Sequence, residues 1–413
     1  MMTPRDDLQL RTATASEYEA VSHLLARAFG EPYEPDEGGP GAGIFEPDRS
    51  LVFADGDRIV ANAGAFTREL TVPGAVIPAA HVTMVGVLPT YRRRGLLSRM
   101  MHRQLRDVRE GGVEPIALLW ASEGTIYQRF GYGHAAQRLA FVADRRDITL
   151  LPRFATAGGR LREASLEDAR KDLAALYERV RVTRVGWSDR TEAWWDYVLN
   201  DKPAHRGGAT ARHALLYEGA DGLEGYAIWR SKEEWDHGPQ GEVAVREVVA
   251  ATPAAYTELW RFLFSVDLTR KVNFWCAAMD EPLLHMVTEP RRLRAQVADG
   301  LWVRIADLPA ALTARAYSTP LSVVFEVDDK LLPENAGTWR LDAAADGSAT
   351  CVPTDDAADL VCDVSDLGAA YLGGTALVAL AAAGRVRELT PGALDRASVA
   401  FLSPRAPSAT EVF

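Results

Sequence analysis

From residue 15 to 29 apolar side chains return every three or four positions. Val21, Leu24, Leu25, Ala28 and Phe29 share one face, and Ser16 stands where a helix N-cap is expected. The next stretch, 30–50, holds four prolines and five glycines among several acids, which predicts a loop long enough to lie over a site. Alternating and β-branched runs then predict strands over 50–54, 59–66 and 68–71, with a turn at Val72-Pro73-Gly74, and a further strand over 81–88. A helix follows over 95–110, stopped by Gly111-Gly112, and then a strand over 115–121. A helix, antiparallel strands, a strand feeding a helix and a last strand make an α+β or mixed α/β layout.

The pattern partly repeats after about residue 150. Helices are predicted over 166–183 and over the Trp-rich 189–200. Strands follow at 214–217, 225–230 and 242–249, then a helix at 254–268 and an apolar strand at 272–277. From 301 the character changes, with strands over 301–305 and 322–327 and near 339–341 and 350–353. Helices follow over 366–372 and 375–383, separated by Gly373-Gly374. The chain's 413 residues exceed what one hydrophobic core usually serves. The changes of pattern predict three regions: 1–150, 151–300 and 301–413.

Charge narrows the partners. With 57 acidic and 46 basic side chains the net charge is −11, which argues against nucleic acid and is compatible with a cationic amine, although such a surface also simply keeps a protein in solution. Cys276, Cys351 and Cys362 are the three cysteines, with no CxxC spacing, so neither a disulfide framework nor a metal site is expected and a reducing cytoplasm fits. The opening MMTPRDDLQLRTAT lacks the apolar core of a signal peptide, and no apolar run is long enough for a membrane span.

The most informative segment is 82–97, VTMVGVLPTYRRRGLL. A β-branched strand runs into Pro89, three arginines follow, then Gly95, then a helix. Bare amides and the dipole at a helix N-terminus attract anions, a glycine lets a diphosphate approach the backbone, and Arg92, Arg93 and Arg94 add charge-assisted donors. A basic loop with a glycine N-cap is the plainer reading of the same residues.

Arg92-x-x-Gly95 after an apolar strand resembles the acetyl-CoA motif of the GNAT acetyltransferase superfamily, although Leu97 stands where Gly or Ala is usual. The string Ala121-Ser-Glu-Gly-Thr-Ile-Tyr-Gln-Arg-Phe-Gly-Tyr-Gly133 narrows the likeness to the enhanced intracellular survival (Eis) family of aminoglycoside acetyltransferases, in which Arg-Arg-Arg-Gly-Leu-Leu, here 92–97, is the usual variant. Leu70-Thr-Val-Pro-Gly74, Asp299-Gly-Leu-Trp-Val-Arg-Ile305 and Tyr371-Leu-Gly373 extend it over nearly the whole chain. The resemblance implies two tandem GNAT domains, the second degenerate, and a C-terminal domain with a sterol-carrier-protein-like fold. It also implies a homo-hexamer. The second copy carries Ala250-Ala251-Thr252-Pro253 in place of the arginine turn, so it is not expected to bind coenzyme A.

The resemblance assigns a site. Acetyl-CoA would contact the backbone of Val85 and Val87, the turn Arg92, Arg93, Arg94, Gly95, Leu96 and Leu97, and Ser122. Tyr127 would be the general acid; a phenol with an ordinary pKa near ~10 suits a departing thiolate. Without the resemblance, packing on the sheet like Phe130 or Tyr132 is the plainer reading of Tyr127. The family's C-terminal carboxylate, here that of Phe413, is proposed to accept the amine proton. With a pKa near ~3.5 it is a weak base, better suited to orienting the amine while water carries the proton. Asp299 falls on an acidic pocket position, Phe66, Met84 and Trp195 on pocket walls, and Phe29 also lines the site; each aromatic residue reads equally well as core. His81 and His134 read as structural. Departures are Val412 where the penultimate residue is usually acidic, Glu411 one place early, and Gln296 in place of an aromatic residue. The expected activity is N-acetylation of a cationic substrate, foremost an aminoglycoside. A lysine, peptide or other small amine is the alternative substrate. A non-catalytic lipid carrier and a host-interaction protein are the other readings.

Overall fold

The computed structural model describes residues 8–33, 35, 38–154 and 158–413. A long run of small and apolar residues produces its longest hairpin: Arg58–Val72 pairs antiparallel with Ala75–Val87. The sequence predicted two strands, 59–66 and 68–71. They are one, because Thr67 and Arg68 keep their partners Ala80 and Ala79 across the hairpin. The connecting turn requires Gly74, whose φ is 75° and where a Cβ would fall 2.4 Å from the Ala316 Cβ.

The chain divides into two compact units, one made of Met1–Ala136, Leu301–Pro404 and Phe413, the other of Gln137–Gly300 and Arg405–Val412. The first unit holds a seven-stranded sheet in the order Gln9–Thr12, Leu51–Asp55, Arg58–Val72, Ala75–Val87, Ile116–Trp120, Leu301–Ile305 and Gly133–His134. Tyr18–Phe29 and Leu96–Gly111 are its main helices. The N-cap role predicted for Ser16 falls to Thr14, whose capping box with Glu17 opens a short 3-10 turn before the first helix. Leu96, Met100, Met101, Leu105 and Val108 bury the inner face of the second helix. A five-stranded sheet, Ala349–Pro353, Gly337–Ala343, Leu321–Asp328, Leu360–Asp363 and Arg387–Glu388, follows with its own helices. Arg304, fully buried on Leu301–Ile305, makes two 2.8 Å bonds to Asp329 in the loop after Leu321–Asp328.

The second unit has a seven-stranded sheet of like design, in the order Gln296–Asp299, Gln137–Asp144, Thr269–Ala277, Gly241–Ala250, Gly222–Lys232, His213–Gly219 and Arg160–Ser165. Helix Pro253–Leu263 stops short of the predicted 268. Among the described residues no helix is long and apolar enough to cross a membrane, and no group of three His, Cys, Asp or Glu is placed to hold a metal ion. The three cysteines are free and buried.

Candidate active site

In the first unit the parallel neighbours Ala75–Val87 and Ile116–Trp120 pair only at Ala80 with Ala117 and His81 with Leu118. Beyond His81 the two strands part. The strand Ala75–Val87, fourth of the seven, bulges there: its register with Arg58–Val72 shifts between Asn62 and Gly64, and Met84 takes a left-handed φ of 50°. Two buried amides mend the bulge. Asn62 donates to the Met84 carbonyl at 2.7 Å, and Gln104 donates to the Gly64 carbonyl at 2.9 Å. Left-handed backbone at a non-glycine residue costs roughly 1–3 kcal/mol and persists where its surroundings enforce it.

The strand ends at Leu88, and a 3-10 turn over Pro89–Tyr91 leads to the arginines. Arg92 donates to the carbonyls of Ala28 at 3.0 Å and Val87 at 3.4 Å, so it braces the turn against the end of the first helix. Arg93 is left-handed, with φ 65°, and the Arg94 guanidinium lies 4.8 Å over the Tyr91 ring. Gly95 caps the helix with φ 78°, and a Cβ built there meets nothing within 4 Å. Arg92 to Gly95 are all exposed, so open space at Gly95, two further exposed arginines and a helix N-terminus coincide, a donor set that fits a diphosphate. Leu96 and Leu97 turn their side chains into the core, which leaves their amides as what they could offer.

Beyond the other arm of the fork, Ser122 is exposed and Gly124–Gln128 forms a short helix. Tyr127, 6% exposed, packs among Val82, Leu119, Phe130, Tyr132 and Trp302, with Val85 and Leu97 at the edge of the cluster. Burial pushes its phenol up to about 12. Its ring meets Tyr132 at 5.9 Å between centroids. His81, fully buried at the fork, has Nδ1 2.9 Å from the Ala79 carbonyl oxygen and its ring 4.6 Å from that of Phe413. Phe66 is His81's partner across the hairpin and is itself buried. Phe413, His81 and Phe66 are thus brought together, as are Tyr127, Val85 and Leu97. Phe29 stands half-exposed at the end of its helix, one residue after the Ala28 carbonyl that Arg92 holds.

Two predicted residues lie in the second unit. Trp195, 3% exposed, is part of that unit's core, edge-on to Tyr177 and with the Arg190 guanidinium 4.7 Å over its ring. Asp299 is half-buried at the end of Gln296–Asp299, opposite Gln137. The tail Arg405–Val412 is fixed in the same unit. Arg190, buried, donates from Nε to Glu411 at 2.8 Å and from both terminal nitrogens to Glu247, while its plane rests 3.9 Å over Tyr177. Trp187 donates to Ser408 at 3.2 Å, and the Ser408 amide donates to the Val185 carbonyl at 3.0 Å.

Three regions of the chain match known families: residues 9–135 and 186–305 each match an acetyltransferase (GNAT) domain, and residues 308–410 match a sterol carrier protein domain. The N-acetyltransferase Eis of Mycobacterium tuberculosis is 34% identical over 406 residues, 95% of this chain and 96% of the relative. The chain belongs to the Eis family. An uncharacterized N-acetyltransferase of Streptomyces avermitilis is 45% identical over 93% of this chain and 94% of its own. The crystal structure of Eis1 from Mycobacterium abscessus superposes with a TM-score of 0.84 at 31% identity, covering 98% of this chain and all of that one. This Eis-family member is an N-acetyltransferase with two GNAT domains and a sterol-carrier-like domain. Sequence reasoning did not find Arg190, Glu247, Asn62 or Gln104. The available signal was a polar residue inside an apolar strand, Asn62 in VANAGAF and Glu247 in VAVREVVA.

Proposed function

We propose that this Eis-family enzyme transfers acetyl from acetyl-CoA to an amine of a cationic substrate, foremost an aminoglycoside, at the fork of the first sheet. The observation that carries this reading is the coincidence, within one strand and one turn, of the parted strands, the left-handed Met84 and the open helix end at Gly95.

Acetyl-CoA supplies an activated acetyl group. Arg93, Arg94 and the amides from Gly95 to Leu97 would hold its diphosphate, Arg92 would keep the turn in place, and the backbones of Val85 and Val87 with Ser122 would hold the arm. Tyr127, at about 12, keeps its proton at every working pH and presents it to the departing sulfur. The amine nitrogen bonds to the acetyl carbon, the carbon–sulfur bond breaks, and the Tyr127 proton goes to sulfur. The Phe413 carboxylate orients the amine, whose own proton leaves through water, and the Tyr127 phenolate takes a proton back from water before the next turnover. Phe66, Met84 and Phe29 are proposed for the substrate, whereas Trp195, packed in the second unit's core beneath Arg190, is not. Glu411 is committed to Arg190, so it is not available to a substrate ammonium. That favours substrates with fewer charges than the most polycationic aminoglycosides, and lysine side chains are the second class to test.

Thiol release from acetyl-CoA across aminoglycosides, lysine peptides and small diamines tests the reading. Release with an aminoglycoside is expected. Release with none of these amines, or failure of calorimetry to detect coenzyme A binding, overturns it. A homo-hexamer is proposed with it, to be checked by light scattering.

A further inference from the structure

We infer that the second unit contains a ligand site of its own, built on the fork of its own sheet, for a small organic anion with an apolar body. Gly241–Ala250 and Thr269–Ala277 run parallel and paired up to Val245 and Phe274, and a cavity of about 820 Å³ opens beyond that point. Its place, between two parted parallel strands and the N-terminus of the helix that joins them, is the one proposed for the coenzyme in the first unit. Its size is that of a small-molecule pocket, ~300–1,000 Å³.

The cavity is unsuited to a diphosphate. Ala250-Ala251 replaces the arginines, the Thr252 hydroxyl already caps the helix by accepting from the Ala255 amide, and Pro253 has no N–H to offer. What remains is apolar wall and positive rim. Phe154, Trp187 and Phe274 supply flat surface. Arg179, Arg184 and Arg405 supply three cations.

Among the described residues the lining carboxylates are Glu247, Asp280 and Glu281, and each is engaged. Glu247 is held by Arg190 and by the Tyr226 hydroxyl at 2.6 Å. Asp280 accepts from the Ala406 amide at 3.2 Å and faces Arg184 at 3.6 Å. Glu281 accepts from the Tyr256 hydroxyl and the Leu283 amide, and burial pushes it up to about 7, so it carries only part of a charge at neutral pH. With Arg184 set against Asp280 and Glu247 held by Arg190, the exposed Arg179 and Arg405 are the cations left at the rim against part of a charge on Glu281, which selects a carboxylate or sulfonate joined to an alkyl or aromatic body. Ser408, Ala409 and Thr410 form part of the wall, so occupancy reaches the clamped tail.

The test uses the full-length protein with saturating coenzyme A, so that the first unit's turn does not compete, and reads octanoate and octylamine by calorimetry. Octanoate is expected to bind at one site per chain, at least ten-fold more tightly than octylamine, and to slow amide exchange over 405–412. Arg405→Gln is expected to weaken octanoate at least five-fold while Arg405→Lys keeps most of the affinity. Thr183→Trp, at an exposed position on the wall, is expected to abolish binding without lowering the melting temperature. Equal affinity for the two probes, no binding at millimolar concentration, or octanoate binding unchanged by Thr183→Trp overturns the inference. None of these outcomes bears on thiol release by the first unit.

Discussion

Tyr127 shares its cluster with Phe130, Tyr132 and Trp302, and the loss of water around its phenol sets what it can do. Held at about 12, it keeps its proton where a free phenol near ~10 is already ionising. Tyr127→Phe is expected to lower kcat by roughly 10²-fold or more with KM for acetyl-CoA little changed, read by thiol release. In the wild type, kcat is expected to show no Tyr127 limb below about pH 11. Glu281 titrates in the opposite sense for stability. Its folded value, about 7, lies above the 4.5 of an ordinary glutamate. The proton is therefore held more tightly in the folded state, and the stability this gives is complete below about pH 4.5 and lost as pH rises to about 7. Glu281→Gln is expected to stabilise the protein at pH 8 by roughly 3 kcal/mol and to make no difference at pH 4.5, measured by urea unfolding. At this scale the sequence marks some residues and hides others. The string around Tyr127 is contiguous and legible. Arg190 is not, because its partners Glu247 and Glu411 lie 57 and 221 positions away and no local pattern joins them.

The bulged strand depends on side chains borrowed from its neighbours. Gln104→Leu leaves the Gly64 carbonyl without its donor beneath a buried helix, and is expected to cost roughly 1–3 kcal/mol in urea unfolding. Asn62→Leu releases the Met84 carbonyl, and is expected to raise KM for acetyl-CoA more than it lowers kcat, since the strand edge loosens while Tyr127 stays packed. Most elements were legible as hydrophobic rhythm, and the helix over 95–110 was placed to within a residue of Leu96–Gly111. The misreadings have separate causes. Thr67 and Arg68 break the apolar rhythm, yet ladder pairing carries the strand through them. The short helix Pro40–Ile44 inside the predicted loop starts at a proline that already has a helical φ. The bulge itself was invisible, since nothing local to Met84 asks for φ 50°.

Across the whole chain, an acidic protein commits a buried arginine to two carboxylates in order to fix its tail. Arg190→Met leaves Glu247 and Glu411 buried without their cation and is expected to cost about 3–5 kcal/mol, with faster amide exchange over 405–412. Replacing all three members with apolar side chains is expected to recover most of that loss, as a melting series would show. The two GNAT domains and the sterol-carrier-like domain were legible through the family strings, but the membership of single strands was not. Gln137–Asp144 sits in the second sheet and Leu301–Ile305 in the first, because side-by-side pairing ignores distance along the chain. That interleaving has a consequence for synthesis. Ile116–Trp120 and Gly133–His134 both hydrogen-bond to Leu301–Ile305, so a nascent chain that has emerged only to residue 136 exposes a raw sheet margin until some 170 further residues are translated. A gene fragment cut at residue 135, where the first domain match ends, should therefore yield aggregates in the cell, whereas fusing 301–305 to it through a short linker should restore solubility.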